Sequence, residues 1–75
     1  MLELTVMGDK AAALKRAIEV AGGQAELARL IGITAQAISQ WDEVPPLRVL
    51  VVERVSGVSR HELRPDLYPL EEARA

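Results

Sequence analysis

The sequence predicts an all-α domain, a compact bundle of four to five short helices that contains a helix-turn-helix. Three observations predict it. Apolar residues recur at helical spacings of three and four, glycines and prolines interrupt that pattern at short intervals, and a hydrophobic content of 49% suffices for one core. Because only 3% of the residues are aromatic, this core is aliphatic. A chain of 75 residues has room for one small domain.

The first residues follow a different pattern. Leu2, Leu4 and Val6 alternate with polar neighbours, which is typical of a strand, but no second strand is predicted to pair with it. Residues 1–8 are therefore expected to form an extension, either flexible or an edge strand that pairs across a dimer, and we favour the flexible form. The domain then covers residues 9–69, and residues 70–75 form a flexible tail.

Two helices are predicted before the first break in the middle of the chain. Asp9 can cap the first helix, and the glycine pair at 22–23 ends it. A second helix begins at Gln24. The expected buried positions are Leu14, Ala17, Ile18 and Ala21 on the first helix and Leu27, Ala28 and Ile31 on the second.

Gly32 marks a sharp turn. A glycine inside a helix costs about 1 kcal/mol relative to alanine, so a break is expected there. Glycine adopts the left-handed conformation without a Cβ penalty, and Thr34 can cap a third helix through its hydroxyl. Two short helices joined by a tight turn that contains glycine form a helix-turn-helix. An ordinary helical hairpin is the alternative.

The segment "VPPLRVLVVERVSG" is ambiguous. Its β-branched run could form a strand, but the proline pair suits a helix start and Gly57 suits a helix end. We therefore predict a helix whose apolar face carries Leu47, Leu50, Val51 and Val55. Ser59 and Glu62 then have the spacing of a capping box that opens one last turn before Pro65.

Several classes of function are disfavoured by composition. The chain has no cysteine, which removes disulfides, cysteine-based zinc sites and thiol catalysis, and suits the cytoplasm. His61 is the single histidine and has no second metal-type ligand or nucleophile at a useful spacing, so we expect no enzyme, no metal and no cofactor. No membrane span or signal peptide is predicted, because no apolar run approaches 18 residues and the first ten lack a basic region.

The segment "QAELARLIGITAQAISQW" resembles the helix-turn-helix of phage Cro and cI-type repressors. The matching positions are Gln24, Leu27, Ala28, Gly32, Ile33 and Ile38. The following "WDEVPPLRVLVVERVSGVSRHELRPDLYP" resembles Cro-like and YdaS-type bacterial regulators in particular. This resemblance covers about residues 10–69. It implies a lambda repressor-like DNA-binding domain of phage or prophage type that acts as a dimer on operator DNA, typically as a repressor of transcription.

The third helix is then the recognition helix. If Ala37, Ile38 and Trp41 face inward, helical geometry turns the base-contacting candidates outward. These are Ala35, Gln36, Ser39 and Gln40. Glutamine can form a bidentate contact with adenine, serine can bond a base or a phosphate, and the alanine methyl can meet a thymine methyl. The alternative for the two glutamines is plain solvent exposure. Related repressors often carry glutamine where this chain has Ala35, so their base preference does not transfer.

Contacts to the DNA backbone are expected from four residues. The resemblance implies that Gln24 binds a phosphate at the start of the second helix, and Thr34 is a further candidate beside its capping role. Among the available cations we favour Arg48 and Lys10. A net charge of −2, with Asp42 and Glu43 directly after the recognition helix, predicts few phosphate contacts and a shallow dependence on salt.

A protein-interaction module on the same scaffold, such as a partner-binding antitoxin-type regulator, is the competing hypothesis, favoured by the uncharged helix and the net negative charge. For the DNA-binding hypothesis we expect a weak homodimer that double-stranded DNA stabilises. Its surface could be Leu67, Tyr68 and Leu70 near the C-terminus, or the apolar residues of the N-terminal extension. We favour instead that Leu67 and Tyr68 fold back onto the core.

Overall fold

A computed structural model describes residues 10–69 of the chain. Its elements are α1 (Lys10–Ala21), α2 (Gln24–Ile31), α3 (Ala35–Ser39), a 3-10 turn (Pro46–Arg48), α4 (Val49–Ser56) and α5 (Arg60–Leu63). All regular structure in that range is helical, which confirms the predicted all-α bundle. None of these helices is long and apolar enough to cross a membrane. The predicted Asp9 cap, the extension at 1–8 and the tail at 70–75 lie outside the described residues.

The core consists of two adjoining clusters. The first cluster joins α1, α4 and α5 through Ala13, Leu14, Ala17, Val44, Val49, Val52, Val58 and Leu63. The second cluster holds α2 and α3 together through Leu27, Ala28 and Ile38. Trp41, Ile18 and Ile31 are half-buried and pack against both clusters. The predicted inward position of Trp41 is thereby confirmed, and the helix-turn-helix is tied to the rest of the bundle.

The predicted apolar face of α4 is correct for Val51 and Val55, which pack against the core, and wrong for its two leucines. Leu47 is 95% exposed and Leu50 is 48% exposed, whereas Val49 and Val52 are fully buried. Every residue from 49 to 52 is apolar, so local spacing does not distinguish one face of this helix from another. The 3-10 turn at Pro46–Arg48 rotates Leu47 away from the core, and the packing of α4 against α1 selects the face.

The capping box predicted at α5 forms only in part. The Ser59 hydroxyl accepts a hydrogen bond from the backbone N–H of His61 at 2.9 Å, which confirms Ser59 as the cap. The reciprocal bond from Glu62 is not made. The carboxylate of Glu62 instead accepts from Arg16 on α1, because α1 and α5 lie side by side in the bundle.

The C-terminal part of the described chain folds back onto the first cluster. Tyr68 is half-buried against that cluster, in agreement with the internal role predicted for it, while Leu67 remains 41% exposed. The guanidinium of Arg60 lies 5.6 Å from the centre of the Tyr68 ring. Leu70 lies beyond the described residues, so its predicted role as a dimer contact remains a prediction.

Candidate nucleic-acid interface

The turn between α2 and α3 depends on Gly32. Its backbone is left-handed, with φ 82° and ψ 29°, and its N–H donates to the carbonyl of Ala28 at 2.8 Å. Ile33 donates to the same carbonyl at 3.0 Å. A Cβ added at Gly32 would meet no atom within 4 Å, so the requirement for glycine comes from the backbone conformation and not from crowding.

Thr34 begins the third helix as predicted. Its backbone is extended, and its hydroxyl accepts a hydrogen bond from the N–H of Ala37 at 3.1 Å. The side chain is exposed, so the hydroxyl oxygen is at the surface while it caps α3. The cap and the preceding turn together set the direction in which α3 leaves α2.

The outward face of α3 is polar and uncharged. Gln36 and Ser39 on α3 and Gln40, the C-cap residue directly after it, are exposed, and the two glutamines lie four residues apart on one side. The Ser39 hydroxyl donates to the carbonyl of Gln36 at 2.8 Å, which leaves its lone pairs available as acceptors. Ala35 is half-buried against the second cluster, so its methyl faces solvent only in part.

Gln24 is the first residue of α2, and its side chain is exposed. The preceding residue, Gly23, has no side chain, and no side-chain hydrogen bond caps this end of the helix. The first N–H groups of α2 therefore lack a side-chain cap and are available to water or to an anionic group. Glu26 in the same turn is paired with Arg29, and that hydrogen bond lowers the pKa of Glu26.

The two favoured cations differ in their surroundings. The ammonium of Lys10 lies 2.9 Å from a carboxylate oxygen of Glu43 and 3.7 Å from one of Asp66, so its charge is already compensated. Arg48 is exposed at the end of the 3-10 turn and has no ion pair with any residue between 10 and 69. Of the two, Arg48 is the cation available to an external anion.

Most other cations are also paired with carboxylates. Arg16 pairs with Glu62, Arg29 with Glu26, Arg60 with Glu53, and Arg64 with Asp66 and Glu43. Within the described part of the chain, Lys15 and Arg54 share with Arg48 the lack of an ion pair. The sequence does not predict Arg54 as a DNA contact, because its exposure and its lack of an ion pair depend on which face of α4 is buried.

The helix-turn-helix and its surroundings can be compared with known proteins. A family model described as "Bacterial toxin YdaS" matches residues 14–72. The chain is also 36% identical over 61 residues to the protein named "Putative transcriptional regulator YdaS" of Escherichia coli (strain K12). That alignment covers 71% of this chain and 60% of the relative. The chain belongs to the YdaS family.

The match to the YdaS family runs without a break from α1 past α5, and it includes seven of the eight candidate DNA contacts. Lys10 lies outside the match. The chain spans about 60% of the length of the curated relative, so part of that protein has no counterpart in the alignment. No solved structure matches the chain.

Two residues that hold the loop after α3 in place are not evident from the sequence. Val44 is fully buried in the loop after α3, and Arg64 is 7% exposed and donates to the Val44 carbonyl at 2.9 Å. The signal for Val44 is a lone apolar residue between two acidic residues and two prolines. Asp66, two residues after Arg64, is a local partner, but the burial of Arg64 has no local signal, because the Val44 carbonyl that it contacts lies twenty residues earlier in the chain.

His61 has a structural contact. Its Nδ1 lies 2.8 Å from the carbonyl oxygen of Tyr68, which links α5 to the turn that follows it. Among the residues with described positions, no group of three histidine or acidic side chains could hold a metal ion.

Proposed function

We propose that this chain is a sequence-specific double-stranded DNA-binding regulator of transcription that acts on operator DNA as a dimer, most simply as a Cro-like repressor in the cytoplasm. The observation that supports the proposal is the exposed polar face of α3, presented after a left-handed turn and a threonine cap. A helix displayed in this way fits the major groove. The name of the E. coli relative, which calls that protein a transcriptional regulator, agrees with it.

Gln36 and Gln40 are the proposed readers of base edges. Both are exposed on one side of α3, and a glutamine amide can donate to and accept from adenine in a bidentate contact. Ser39 supplies a hydroxyl acceptor between them. Ala35 contributes at most the exposed part of its methyl, which suits a thymine methyl at the edge of the site.

Gln24, Thr34 and Arg48 are the proposed contacts to the sugar-phosphate backbone. Gln24 lies at a helix N-terminus with no side-chain cap, which favours a phosphate there. Arg48 brings a positive charge that no described carboxylate compensates. Lys10 is proposed as a weaker contact, because it must exchange Glu43 for a phosphate.

The small number of free cations has a consequence for affinity. Because each neutralised phosphate contributes roughly one unit to the slope of log affinity against log salt, one subunit should show a shallow slope. Two subunits on half-sites about one helical turn apart would recover affinity through the second contact. We therefore expect weak binding to a single half-site and much stronger binding to a pair.

Selection of bound sequences from a random duplex pool tests the proposal. The wild-type chain should enrich one motif, and Gln36→Ala and Gln40→Ala should each relax one or two base positions, with a loss of about 1–3 kcal/mol per bidentate contact. Glu19→Ala is the matched control, since Glu19 is an exposed polar residue on α1. If both glutamine variants select the same motif with wild-type affinity, the assignment of base contacts is wrong.

A protein-binding module is the second candidate function. It is favoured by the pairing of most described cations with carboxylates and by the net charge of −2. Retention on DNA-cellulose at low salt, with release as salt rises, supports the DNA-binding proposal. Failure to retain the chain at low salt, with its helical circular dichroism intact, supports the protein-binding module.

A further inference from the structure

The loop after α3 lies against four charged side chains that come from three parts of the chain. Lys10 begins α1, Glu43 belongs to the loop itself, and Arg64 and Asp66 follow α5. The carboxylate of Glu43 lies 2.9 Å from the Lys10 ammonium and 3.7 Å from the Arg64 guanidinium. The carboxylate of Asp66 lies 2.8 Å from the same guanidinium and 3.7 Å from the same ammonium. Each cation therefore meets both anions, and we refer to these four residues as the charge cluster.

Arg64 also binds the backbone of the loop. Its Nη1 donates to the Val44 carbonyl at 2.9 Å, while its Nε and Nη2 donate to the two carboxylate oxygens of Asp66 at 3.1 and 2.8 Å. A bidentate pair of this kind fixes the plane of the guanidinium. Because the guanidinium is fixed and buried, the Val44 carbonyl is held at a defined place.

The same loop supports the C-terminal end of α3. This helix has five residues, and its last turn continues into the loop, where the Trp41 N–H donates to the Ile38 carbonyl at 3.0 Å. Trp41 packs against both clusters of the core, and Val44 is fully buried in the first. A helix this short has little stability of its own. Its direction therefore depends on the Gly32 turn and the Thr34 cap at one end and on this loop at the other.

Arg64 can influence DNA binding only through the loop. The residue is 7% exposed, and its guanidinium is engaged by Val44 and Asp66, so it is not placed to contact a duplex itself. A binding site works while its contacting groups are held within about 0.5 Å of the productive geometry. Release of the loop would let the outward face of α3 move by more than that.

We propose that Arg64 is a positioning residue for base recognition by α3. Through the Val44 carbonyl it fixes the loop, and the loop fixes the direction in which Gln36 and Gln40 face the major groove. The charge cluster keeps Arg64 oriented for this task. The inference rests on the proposed function, and it assigns to Arg64 a role in the specificity of that function.

A positioning role differs from a contribution to stability alone. A residue that acts only on stability lowers the folded fraction, and binding to every duplex then falls by the same factor. A residue that positions α3 lowers binding to the operator more than binding to unrelated DNA, since unrelated DNA is held by its phosphates and not by its bases. The ratio of the two affinities therefore separates the two roles.

Titration of two duplexes measures this ratio. One duplex carries the motif that the wild-type chain enriches, and the other carries the same bases scrambled. Arg64→Met should lower the ratio by about tenfold or more, as expected when one bidentate base contact is lost. Arg60→Met is the matched control and should leave the ratio unchanged, because Arg60 is a half-buried cation whose partner, Glu53, lies 3.0 Å away on α4 and not in the loop. An unchanged ratio for a folded Arg64→Met chain would overturn the proposal.

The fluorescence of Trp41 tests the loop without DNA. It is the single tryptophan of the chain, and it lies in the segment that Arg64 is proposed to hold. Arg64→Met should raise the quenching of Trp41 by acrylamide, whereas Arg60→Met should leave it at the wild-type level. Helical circular dichroism at the same temperature shows whether each variant is folded. Equal quenching in the two folded variants would refute the proposed control of the loop by Arg64.

Asp66→Asn is a milder variant that keeps Arg64 and its bond to Val44. It removes the charge that orients the guanidinium, so the affinity ratio should fall in the same direction by a smaller factor. If Arg64→Met does not fold, an unchanged ratio for Asp66→Asn overturns the proposal. If the wild-type chain enriches no motif, the proposed function fails, and the quenching of Trp41 decides whether Arg64 holds the loop. A motif that is enriched and read equally well by all variants would remove only the positioning role.

Discussion

The guanidinium of Arg64 donates a hydrogen bond of 2.9 Å to the carbonyl oxygen of Val44, twenty residues earlier in the chain. Val44 is fully buried in the loop that leaves α3, and Arg64 is 7% exposed just after α5. The same guanidinium is paired with Asp66 through bonds of 3.1 and 2.8 Å. This contact fixes the loop after the proposed recognition helix against the C-terminal turn.

Replacement of this arginine should destabilise the domain. Arg64→Met leaves the Val44 carbonyl without its donor in a buried place, which costs about 2 kcal/mol. Lys15→Met removes an exposed cation that has no ion pair among the described residues, and should change the free energy of unfolding by less than about 0.5 kcal/mol. Urea denaturation followed by circular dichroism measures both. Similar values for the two variants would show that the Val44 contact contributes nothing.

Asp66 should make stability depend on acid pH. The hydrogen bond from Arg64 is the main cause that lowers the pKa of Asp66 from 3.8 to about 2 in the folded chain. Because the folded pKa lies below the unfolded one, the stabilisation is present above pH 3.8 and is lost as the pH falls toward 2. Unfolding midpoints measured between pH 5 and about 2 should fall more steeply for the wild type than for Asp66→Asn. Parallel curves would contradict the shift.

Gly32→Ala should destabilise the helix-turn-helix without any clash. The residue has φ 82°, where a Cβ costs about 1 kcal/mol, and a side-chain methyl at this position would meet nothing within 4 Å. Gly32→Asn should cost less, because asparagine tolerates the left-handed conformation better than alanine. Thermal unfolding of the two variants gives the comparison. A larger loss for asparagine than for alanine would be inconsistent with a purely conformational requirement.

The orientation of α4 can be tested by truncation on its two sides. Val52→Ala removes fully buried methyl groups and should cost about 2 kcal/mol, while Leu47→Ala should leave the stability of the monomer nearly unchanged. Denaturation at low protein concentration avoids any contribution from self-association. If Leu47→Ala proved the more costly, the face predicted from sequence spacing would be the buried one after all.

Several parts of the fold follow from neighbouring residues alone. Gly32 gives a left-handed turn and Thr34 caps α3, because both depend on the conformational preference or hydrogen-bonding reach of one residue. The exposure of Gln36 and Gln40 follows from helical periodicity once Ile38 is assigned to the core. Their contact with bases stays a prediction, since exposure does not identify a ligand.

The sequence by itself therefore determined the helical class, the turn at Gly32 and the polar face of α3, because each is a property of short stretches. The tertiary structure alone decided which side of α4 is buried and which cations are free. Because residues 49–52 are all apolar, the sequence does not indicate which of them face the core. Packing against α1 places Val49 and Val52 inside and Leu47 outside. Lys10 meets Glu43 and Asp66 only because the folded chain brings together residues far apart in sequence, which no local pattern records.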